Sequence, residues 1–176
     1  VIWECGGLSD NVVATPVFSE KHDTLLATSS YNFQSMLAMN VKGAAGDITD
    51  SDRILWTQKK RTPYIPSPLL FQDHVYFLGH YQGVLSRVHI QSGEAPSGPF
   101  RIDGLYDIYA SPVAANDHIY LVDRSGIVVV LSGGTAPEPV AVNQLDDRFS
   151  ATPALVGKDL ILRGEKFLYG IRKPTP

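Results

Sequence analysis

Tyrosine, arginine, histidine and amide side chains recur in the polar segments that separate short apolar runs in this 176-residue sequence. Tyrosine and arginine anchor ligands and protein partners, because they offer large contact areas and directed hydrogen bonds at low entropic cost. The pattern therefore predicts recognition of a protein or a small-molecule ligand. The candidate binding residues are Asn11, Tyr31, Asn32, Tyr64, His80, Tyr81, Tyr109, Arg124, Arg148 and Glu165.

Catalysis has less support in the sequence. His80 is the most obvious general base, because an imidazole titrates near neutral pH, but a solvated loop histidine accounts for it as well. Ser86 and Ser111 lie in strand patterns and lack the G-x-S-x-G context of a nucleophile elbow. The sequence therefore identifies no catalytic residue, and an enzymatic role stays open as an alternative.

Three aspartates, Asp47, Asp50 and Asp52, are the candidates for a metal site. Carboxylates are hard oxygen ligands of the kind that calcium prefers. Their spacing does not follow the EF-hand pattern, so we expect a polar hairpin there and no metal. The single cysteine, Cys5, excludes an internal disulfide and a multi-cysteine metal site, and we expect a buried, inert thiol.

Composition narrows the class of partner. The formal net charge is −3, which argues against nucleic acid, because binding phosphate requires a basic surface. No stretch of the sequence approaches the roughly 18 apolar residues of a membrane-spanning helix, so we expect no membrane insertion. The first residues, Val1 to Glu4, lack an initiator methionine and the features of a signal peptide, which indicates part of a longer or processed chain.

The elements that must position these residues come from a unit that occurs four times. A Ser/Thr-Pro pair opens each unit, with the prolines at Pro16, Pro68, Pro112 and Pro153. A period of roughly 40 to 50 residues is typical of an array of one supersecondary unit. Short apolar runs with frequent turn signals, and no long 3.6-residue period, predict an all-β chain.

Each unit is predicted to form one four-stranded antiparallel blade of a β-propeller, with the Ser/Thr-Pro strand innermost. In such a blade, the loops between blades and the loops between the second and third strands lie on the same face. The candidate binding residues fall in these loops, so we expect them to converge on the mouth of a central channel. The sequence predicts a single domain over 1–176 with blades at 12–57, 64–102, 108–142 and 149–172, and 1–4 as an outer strand.

Several stretches carry a family resemblance. Gly83 to Glu94 reads GVLSRVHIQSGE, and Ser35 to Val41 is followed, after an insertion, by Ile54 to Trp56. In these stretches the chain resembles the PQQ-binding-like β-propeller repeat of quinoprotein alcohol dehydrogenases, and the resemblance covers all four units. It is similar in scaffold to the outer-membrane assembly lipoprotein propeller, and to uncharacterised propellers of this type in planctomycete-like bacteria.

The resemblance implies an extracytoplasmic propeller, periplasmic or at the cell envelope, and PQQ and calcium as cofactors that the family can hold. Quinoprotein dehydrogenases of this family place a vicinal cysteine pair over the quinone, and a chain with one cysteine has no such pair. We therefore expect no cofactor and a non-enzymatic binding or assembly module. The alternatives are part of a PQQ-dependent dehydrogenase, another channel-mouth enzyme, or the sensor propeller of a receptor kinase.

The two ends of the sequence raise the question of how a ring closes. The chain opens with a fourth-strand sequence, Val1 to Glu4, and its last unit has three predicted strands. Three arrangements are open: a closed four-bladed ring, an eight-bladed ring of two identical chains, and a segment of a larger propeller with further blades upstream. We favour an eight-bladed ring, formed by a homodimer or by upstream blades, because propellers of this repeat type usually have seven or eight blades.

Overall fold

The computed structural model describes residues 1–10, 12–79 and 82–173, which form strands and turns. None of these residues belongs to a helix long and apolar enough to cross a membrane. In chain order, the strands are β1 (Trp3–Glu4), β2 (Val17–Ser19), β3 (Thr24–Ser29), β4 (Ser35–Asn40), β5 (Gly46–Asp47), β6 (Ile54–Gln58), β7 (Leu69–Phe71), β8 (His74–Leu78), β9 (Gln82–His89), β10 (Phe100–Tyr106), β11 (Val113–Ala115), β12 (His118–Val122), β13 (Ile127–Ser132), β14 (Pro139–Gln144), β15 (Ala154–Val156), β16 (Asp159–Arg163) and β17 (Leu168–Arg172).

Four antiparallel sheets follow one another along the chain, as the repeats predicted. The first has the strand order β2-β3-β4-β6, the second β7-β8-β9-β10 and the third β11-β12-β13-β14. The fourth has three strands among the described residues, in the order β15-β16-β17. This is the all-β propeller architecture that the sequence predicted, and each sheet is called a blade from here on.

The innermost strand of each blade begins after the proline of its Ser/Thr-Pro pair. In the second blade the ladder starts at Leu69, two residues beyond Ser67, where the sequence predicted its start. Pro68 has no N–H to give to a ladder, so regular pairing begins beyond it. The third and fourth blades show the same offset, since β11 begins at Val113 and β15 at Ala154.

A relay of hydrogen bonds links these Ser/Thr residues from one blade to the next. The backbone N–H of Thr15 donates to Ser67 Oγ at 2.9 Å, and that of Ser67 donates to Ser111 Oγ at 2.8 Å. The backbone N–H of Ser111 in turn donates to Thr152 Oγ1 at 3.1 Å. Each bond joins equivalent positions of adjacent blades, so the relay fixes the register in which the inner strands β2, β7, β11 and β15 meet.

Apolar clusters fill the space between neighbouring blades, and the burial of this surface is the main contribution to stability. The cluster between the first and second blades includes Leu26, Met36, Val75, Phe77 and Val88. The cluster between the second and third blades includes Tyr76, Leu85, Ile119, Val129 and Leu131. The cluster between the third and fourth blades includes Val122, Val128, Phe149 and Leu162.

The outer strand of the first blade docks on the second blade through Trp56. Its Nε1–H donates to the backbone oxygen of Ile90 at 2.9 Å. The indole lies so close to Gly93 that a Cβ added there would be 2.7 Å from Trp56 Cδ2. Gly93 also has a φ of +70°, which favours glycine. Both the turn and the contact therefore require glycine at this position.

A polar group forms the corresponding contact between the second and third blades. The Tyr76 hydroxyl donates to the backbone oxygen of Gly134 at 3.1 Å, and Ser97 Oγ donates to that of Thr135 at 2.6 Å. Arg87 is 5% exposed and donates from Nε to the Tyr76 hydroxyl oxygen at 3.2 Å. The second blade thus reaches the third through hydroxyl groups where the first blade uses an indole.

The first strand corrects one prediction. We expected 1–4 to form an outer strand of the last blade or of another blade, but in this chain β1 pairs in parallel with β5. The cause is apolar packing, because Trp3 lies with Ile48 over Leu37 on the outer face of the first blade. The insertion 42–52, predicted as a polar hairpin, therefore helps the first residues to cover that face.

The last blade leaves apolar side chains exposed. Leu160 and Ile171 line the space next to the third blade, so strand alternation turns Val156 and Leu168 to the opposite face. Val156 is 59% exposed and Leu168 is 70% exposed. Among the described residues, β17 pairs with β16 and with no second strand. This blade therefore presents both an apolar face and a strand edge to the surroundings.

Candidate binding face

The loops between blades and the loops between second and third strands lie on one face, and hydrogen bonds tie them together. Ser30 Oγ donates to the backbone oxygen of Pro63 at 2.5 Å, and the hydroxyls of Ser30 and Thr62 are in hydrogen-bond contact. Pro63 also forms a β-bridge with Gly79 in the second blade. Three loops of the first two blades are thereby held in a fixed relation.

A cleft of about 730 Å³ opens where these loops meet, at the junction of the first and second blades. Tyr31 and Tyr64, both predicted as binding residues, line it. Tyr31 is 44% exposed and Tyr64 is half-buried. A volume of this size is typical of a site for a small molecule or a short peptide segment. The other polar residues of the lining are Ser30, Gln34, Lys60, Arg61, Thr62, Gln82 and Ser86.

The cleft is cationic. Lys60 and Arg61 line it with exposed side chains, and no carboxylate belongs to the lining that the described residues form. Arg61 has a φ of +55°, a left-handed conformation that is uncommon for a residue other than glycine. Neither residue is among the candidate binding residues predicted from the sequence, because a short basic run such as Lys59 to Arg61 is usually a solvated loop.

A second pair of predicted residues, Tyr109 and Arg124, lies at the third blade. Arg124 Cζ is 4.8 Å from the centre of the Tyr109 ring, which is a cation–π arrangement. Arg124 Nη1 is also 3.7 Å from Asp107 Oδ2. Asp123 is fully buried and fixes this loop, because its Oδ1 accepts hydrogen bonds from the backbone N–H groups of two following residues. The structure thus joins a loop between blades to the loop within the third blade.

The fourth blade repeats this arrangement with Arg148 and Glu165. Arg148 Nε lies 3.7 Å from Glu165 Oε1, and the backbone N–H of Glu165 donates to the Arg148 oxygen at 3.0 Å. Both side chains are more than half exposed, so the ion pair is weak. Its charges can therefore change partner when another molecule binds.

Asp147 anchors the two loops that carry this pair, and the sequence did not identify it. Its carboxylate accepts hydrogen bonds from the backbone N–H groups of Arg148, Lys166 and Phe167 and from the Tyr169 hydroxyl. Burial tends to raise the pKa of Asp147, but these hydrogen bonds outweigh it and hold the pKa below its ordinary value. The loop geometry therefore depends on an ionised Asp147.

The remaining predicted residues fall into two groups. Asn32, with a φ of +65°, donates from Nδ2 to Asp10 Oδ2 at 2.7 Å and so holds the loop of the first blade. Asn11, His80 and Tyr81 lie outside the described residues. The predicted binding residues that the structure does describe are therefore spread along the face, and Tyr31 and Tyr64 share one cleft.

The three aspartates proposed as a weak metal site do not assemble into one. Asp47 Oδ1 accepts a hydrogen bond from the Thr49 backbone N–H at 2.9 Å, and hydrogen bonds from the Thr49 side chain and backbone lower the pKa of Asp47. Within the described ranges, no group of three or more His, Cys, Asp or Glu side chains is placed to hold a metal ion. Asp47 thus ends β5 and caps the turn that follows, and Asp50 and Asp52 lie in that turn.

The residues present do not fit the quinone cofactor of the resembling family. Cys5, the single cysteine, packs with Trp3 and Leu8 at the outer face of the first blade, away from the cleft. Burial, followed by the charges of Asp47 and Asp50, raises the pKa of its thiol. Cys5 is half-buried and not fully buried as the sequence predicted, and its inert role stays a prediction.

Comparison with known proteins shows the fold. No protein-family model matches the sequence, and no curated protein matches it. BamB from Moraxella catarrhalis superposes with a TM-score of 0.72 at 15% identity, over 97% of this chain and 49% of that chain. The computationally designed Ika4 protein has a TM-score of 0.72 at 8% identity, over 98% of this chain and 97% of that one. Glutaminyl cyclase from Myxococcus xanthus has a TM-score of 0.58 at 9% identity, over 97% and 73% of the two chains.

These similarities establish a β-propeller fold for this chain. The chain spans about half the length of the BamB chain that it matches. Membership of the PQQ-binding-like family stays a prediction, because the resemblance rests on the repeat motifs alone.

Proposed function

We propose that this chain is a non-enzymatic binding or assembly module that recognises an acidic segment of a partner protein. The site is the cleft between the first and second blades. The observation that carries this proposal is the lining of that cleft, which combines Tyr31 and Tyr64 with Lys60 and Arg61 and contains no carboxylate among the described residues.

The charge of the cleft favours an acidic partner over a basic one. The chain has a formal net charge of −3, so the two cations of the cleft form a local positive patch on an acidic protein. Complementary charge steers a partner to such a patch and disfavours partners of like charge. The tyrosines supply rigid contact area, and their hydroxyls supply hydrogen bonds.

The rest of the face can extend this contact. Arg124 and Arg148 each lie 3.7 Å from a carboxylate oxygen of a side chain that is at least half exposed, an arrangement that contributes little to stability. A partner carboxylate can replace Asp107 or Glu165 at small cost. The proposed face therefore runs from the cleft towards the third and fourth blades. We propose an extracytoplasmic setting on the family resemblance, and fractionation of the source cells would test it.

The experiment measures binding of a fluorescein-labelled glutamate hexapeptide by fluorescence anisotropy. The double variant Lys60→Gln/Arg61→Asn removes both cations, and asparagine tolerates the left-handed backbone at 61. We expect binding to weaken at least about tenfold, the loss of roughly 1.4 kcal/mol, and the remaining affinity to lose most of its dependence on salt.

The matched control is Lys42→Gln, which removes an exposed cation that pairs with Asp23 outside the cleft. It should leave peptide affinity unchanged. Equal affinity of the double variant and the unaltered chain, or equal binding of a lysine hexapeptide, would overturn the proposal. The enzymatic alternative has its own test: addition of PQQ and calcium followed by dye-linked alcohol oxidation should give no activity.

A further inference from the structure

The first and third blades pair their outer strands in the same register, and this identifies equivalent residues. In the first blade Ala38 pairs with Trp56, and in the third blade Val130 pairs with Ala141. In both blades the register shifts at the next residue of the central strand. Ala141 therefore occupies the position that Trp56 occupies two blades earlier.

The third junction consequently lacks the side chain that docks the blade at the first junction. Trp56 reaches the backbone oxygen of Ile90, and at the second junction Tyr76 and Ser97 reach the backbone of the third blade. The side chain of Ala141 ends at its Cβ, so it cannot span the gap to the fourth blade.

An open cleft of about 840 Å³ lies at this third junction. Tyr120 and Val130 line it from the third blade, and Leu155, Leu160 and Ile171 line it from the fourth. Strand pairing identifies the residues of the preceding blades that are equivalent to Ile171, and the comparison shows that this wall of the cleft is incompletely buried. Ile171, on β17, which pairs with β16 alone among the described residues, is 40% exposed, whereas its equivalents on the central strands β9 and β13, Val88 and Leu131, are 2% and 0% exposed.

The rim of the cleft is cationic. Lys158 and Lys173 line it with exposed side chains. The one carboxylate among the lining residues, Asp159, accepts hydrogen bonds from Arg172 Nε at 2.5 Å and from Nη2 at 2.7 Å. The charge of Asp159 is therefore compensated within its own blade, and the two lysines set the charge at the mouth.

We propose that this cleft binds a small planar aromatic carboxylate, of the indole- or phenyl-alkanoic acid class. The ring lies between the third and fourth blades, in the place that an indole fills at the first junction. The carboxylate lies at the rim beside Lys158 and Lys173. The apolar walls favour a flat ring, and the charge of the rim selects an acid over an amine. This site and its ligand are separate from the peptide cleft of the first junction.

The test uses indole-3-propionate as the probe, with 3-methylindole as its neutral counterpart and tryptamine as its cationic one. Equilibrium dialysis should give a dissociation constant below about 1 mM for the acid, as expected for a small efficient ligand. The neutral compound should bind several-fold more weakly, and the amine more weakly still. The variant Lys158→Gln/Lys173→Gln should remove the advantage of the acid over 3-methylindole.

The decisive variant is Ala141→Trp, which supplies the indole from the chain itself. It should weaken binding of indole-3-propionate at least about tenfold and raise the melting temperature by a few degrees, because it fills an apolar gap. The matched control, Val142→Trp, places an indole on the opposite face of β14 and should leave binding unchanged, since Val142 pairs with Val129 on the side towards the second blade.

Should Ala141→Trp lose its fold by circular dichroism, Leu155→Gln replaces it, because Leu155 is 38% exposed and lines the other wall. It too should weaken binding of the acid. Absence of binding to the unaltered chain, equal affinity of Ala141→Trp, or equal affinity for acid and amine would each overturn the proposal.

Discussion

Asp147 organises two loops of the candidate binding face through a single carboxylate. Its oxygens accept hydrogen bonds from four donors, which are three backbone N–H groups and one hydroxyl. Asparagine in its place would replace one accepting oxygen by an NH₂ group, which cannot accept a hydrogen bond from those donors. We expect Asp147→Asn to lower the melting temperature by several degrees at pH 7 while keeping the strand content seen by circular dichroism.

The effect of Asp147 should depend on pH. Its pKa in the folded chain lies below the ordinary value of about 3.9, so its contribution is complete above that pH and disappears as the pH falls through the folded pKa. The gap in melting temperature between the unaltered chain and Asp147→Asn should therefore close towards pH 2. A gap that stays constant with pH would show that the charge of Asp147 does not hold the loops.

His74 should also make stability fall as the pH falls, in a pH range above that of Asp147. Burial, then the charges of Arg87 and His89, lowers the pKa of His74 below its ordinary value of about 6.5. The unfolded chain therefore binds a proton at this site more readily than the folded chain, and stability falls as the pH drops below about 6.5. His74→Gln should flatten the loss of stability between about pH 6.5 and pH 5 in urea denaturation.

Leu55→Ala is the control for this prediction, because Leu55 lines the same surface cleft as His74 and does not titrate. It should shift the stability profile without changing its slope. An identical slope for His74→Gln and the unaltered chain would contradict the assignment to His74.

At the residue scale, the sequence predicted which candidate residues lie in loops and did not predict their contacts. Tyrosines and arginines in loops pointed to a binding face, and Tyr31 and Tyr64 do line a cleft. Asp147 gave no signal, because its donors come from backbone groups 19 and 20 residues away as well as from its neighbour. Contacts of that kind depend on loop conformation, which apolar periodicity does not describe.

At the scale of the elements, the contact between Trp56 and Gly93 sets how the first two blades meet. Alanine at 93 should cost about 1 kcal/mol for the left-handed backbone and roughly 1–3 kcal/mol more for the clash with the indole. We expect Gly93→Ala to lower the urea midpoint markedly, with a matching change in tryptophan fluorescence.

Gly157→Ala measures the backbone contribution alone, so that the difference between the two variants gives the contribution of the clash. Gly157 has a φ of +60°, but an added Cβ there meets nothing within 4 Å. It should therefore show the backbone effect alone, about 1 kcal/mol. If both variants lose the same stability, the contact with Trp56 has no influence on blade docking.

The strands were predicted closely because alternation and turn residues are local signals. The Ser/Thr-Pro strands started later than expected, since proline delays the ladder. The pairing of β1 with β5 could not be predicted in this way, because it depends on Trp3 finding an apolar surface formed by Leu37 and Ile48. Sequence patterns predict that a strand exists but do not predict which strand it pairs with.

At the scale of the whole molecule, the two outer faces of the blade array differ. The first blade is covered by residues that include Trp3 and Ile48, whereas the last blade exposes Val156 and Leu168 beside β17, whose second edge pairs with no strand in the part of the chain that the structure describes. Exposed apolar area next to an unpaired strand recruits other chains. We expect the chain to self-associate through this face as its concentration rises, which light scattering would detect.

Leu168→Lys should suppress this association, because a charge on an edge strand opposes pairing. Thr57→Lys adds the same charge to the exposed outer strand of the first blade and is the control, which should leave the association unchanged. A monomer at all concentrations for the unaltered chain would contradict the prediction. An eight-bladed ring of two chains would instead appear as a defined dimer.

The relay from Thr15 through Ser67 and Ser111 to Thr152 has a direction, since each amide donates forward to the next hydroxyl. A duplicated blade therefore contains both groups that the relay needs. Its Ser/Thr hydroxyl accepts from the blade before, and the backbone N–H of the same residue donates to the blade after. Evolution can lengthen or shorten such a protein by copying or deleting whole units, without inventing a new junction at the centre. Blade number is then free to drift in descendants while the innermost Ser/Thr-Pro pair is retained.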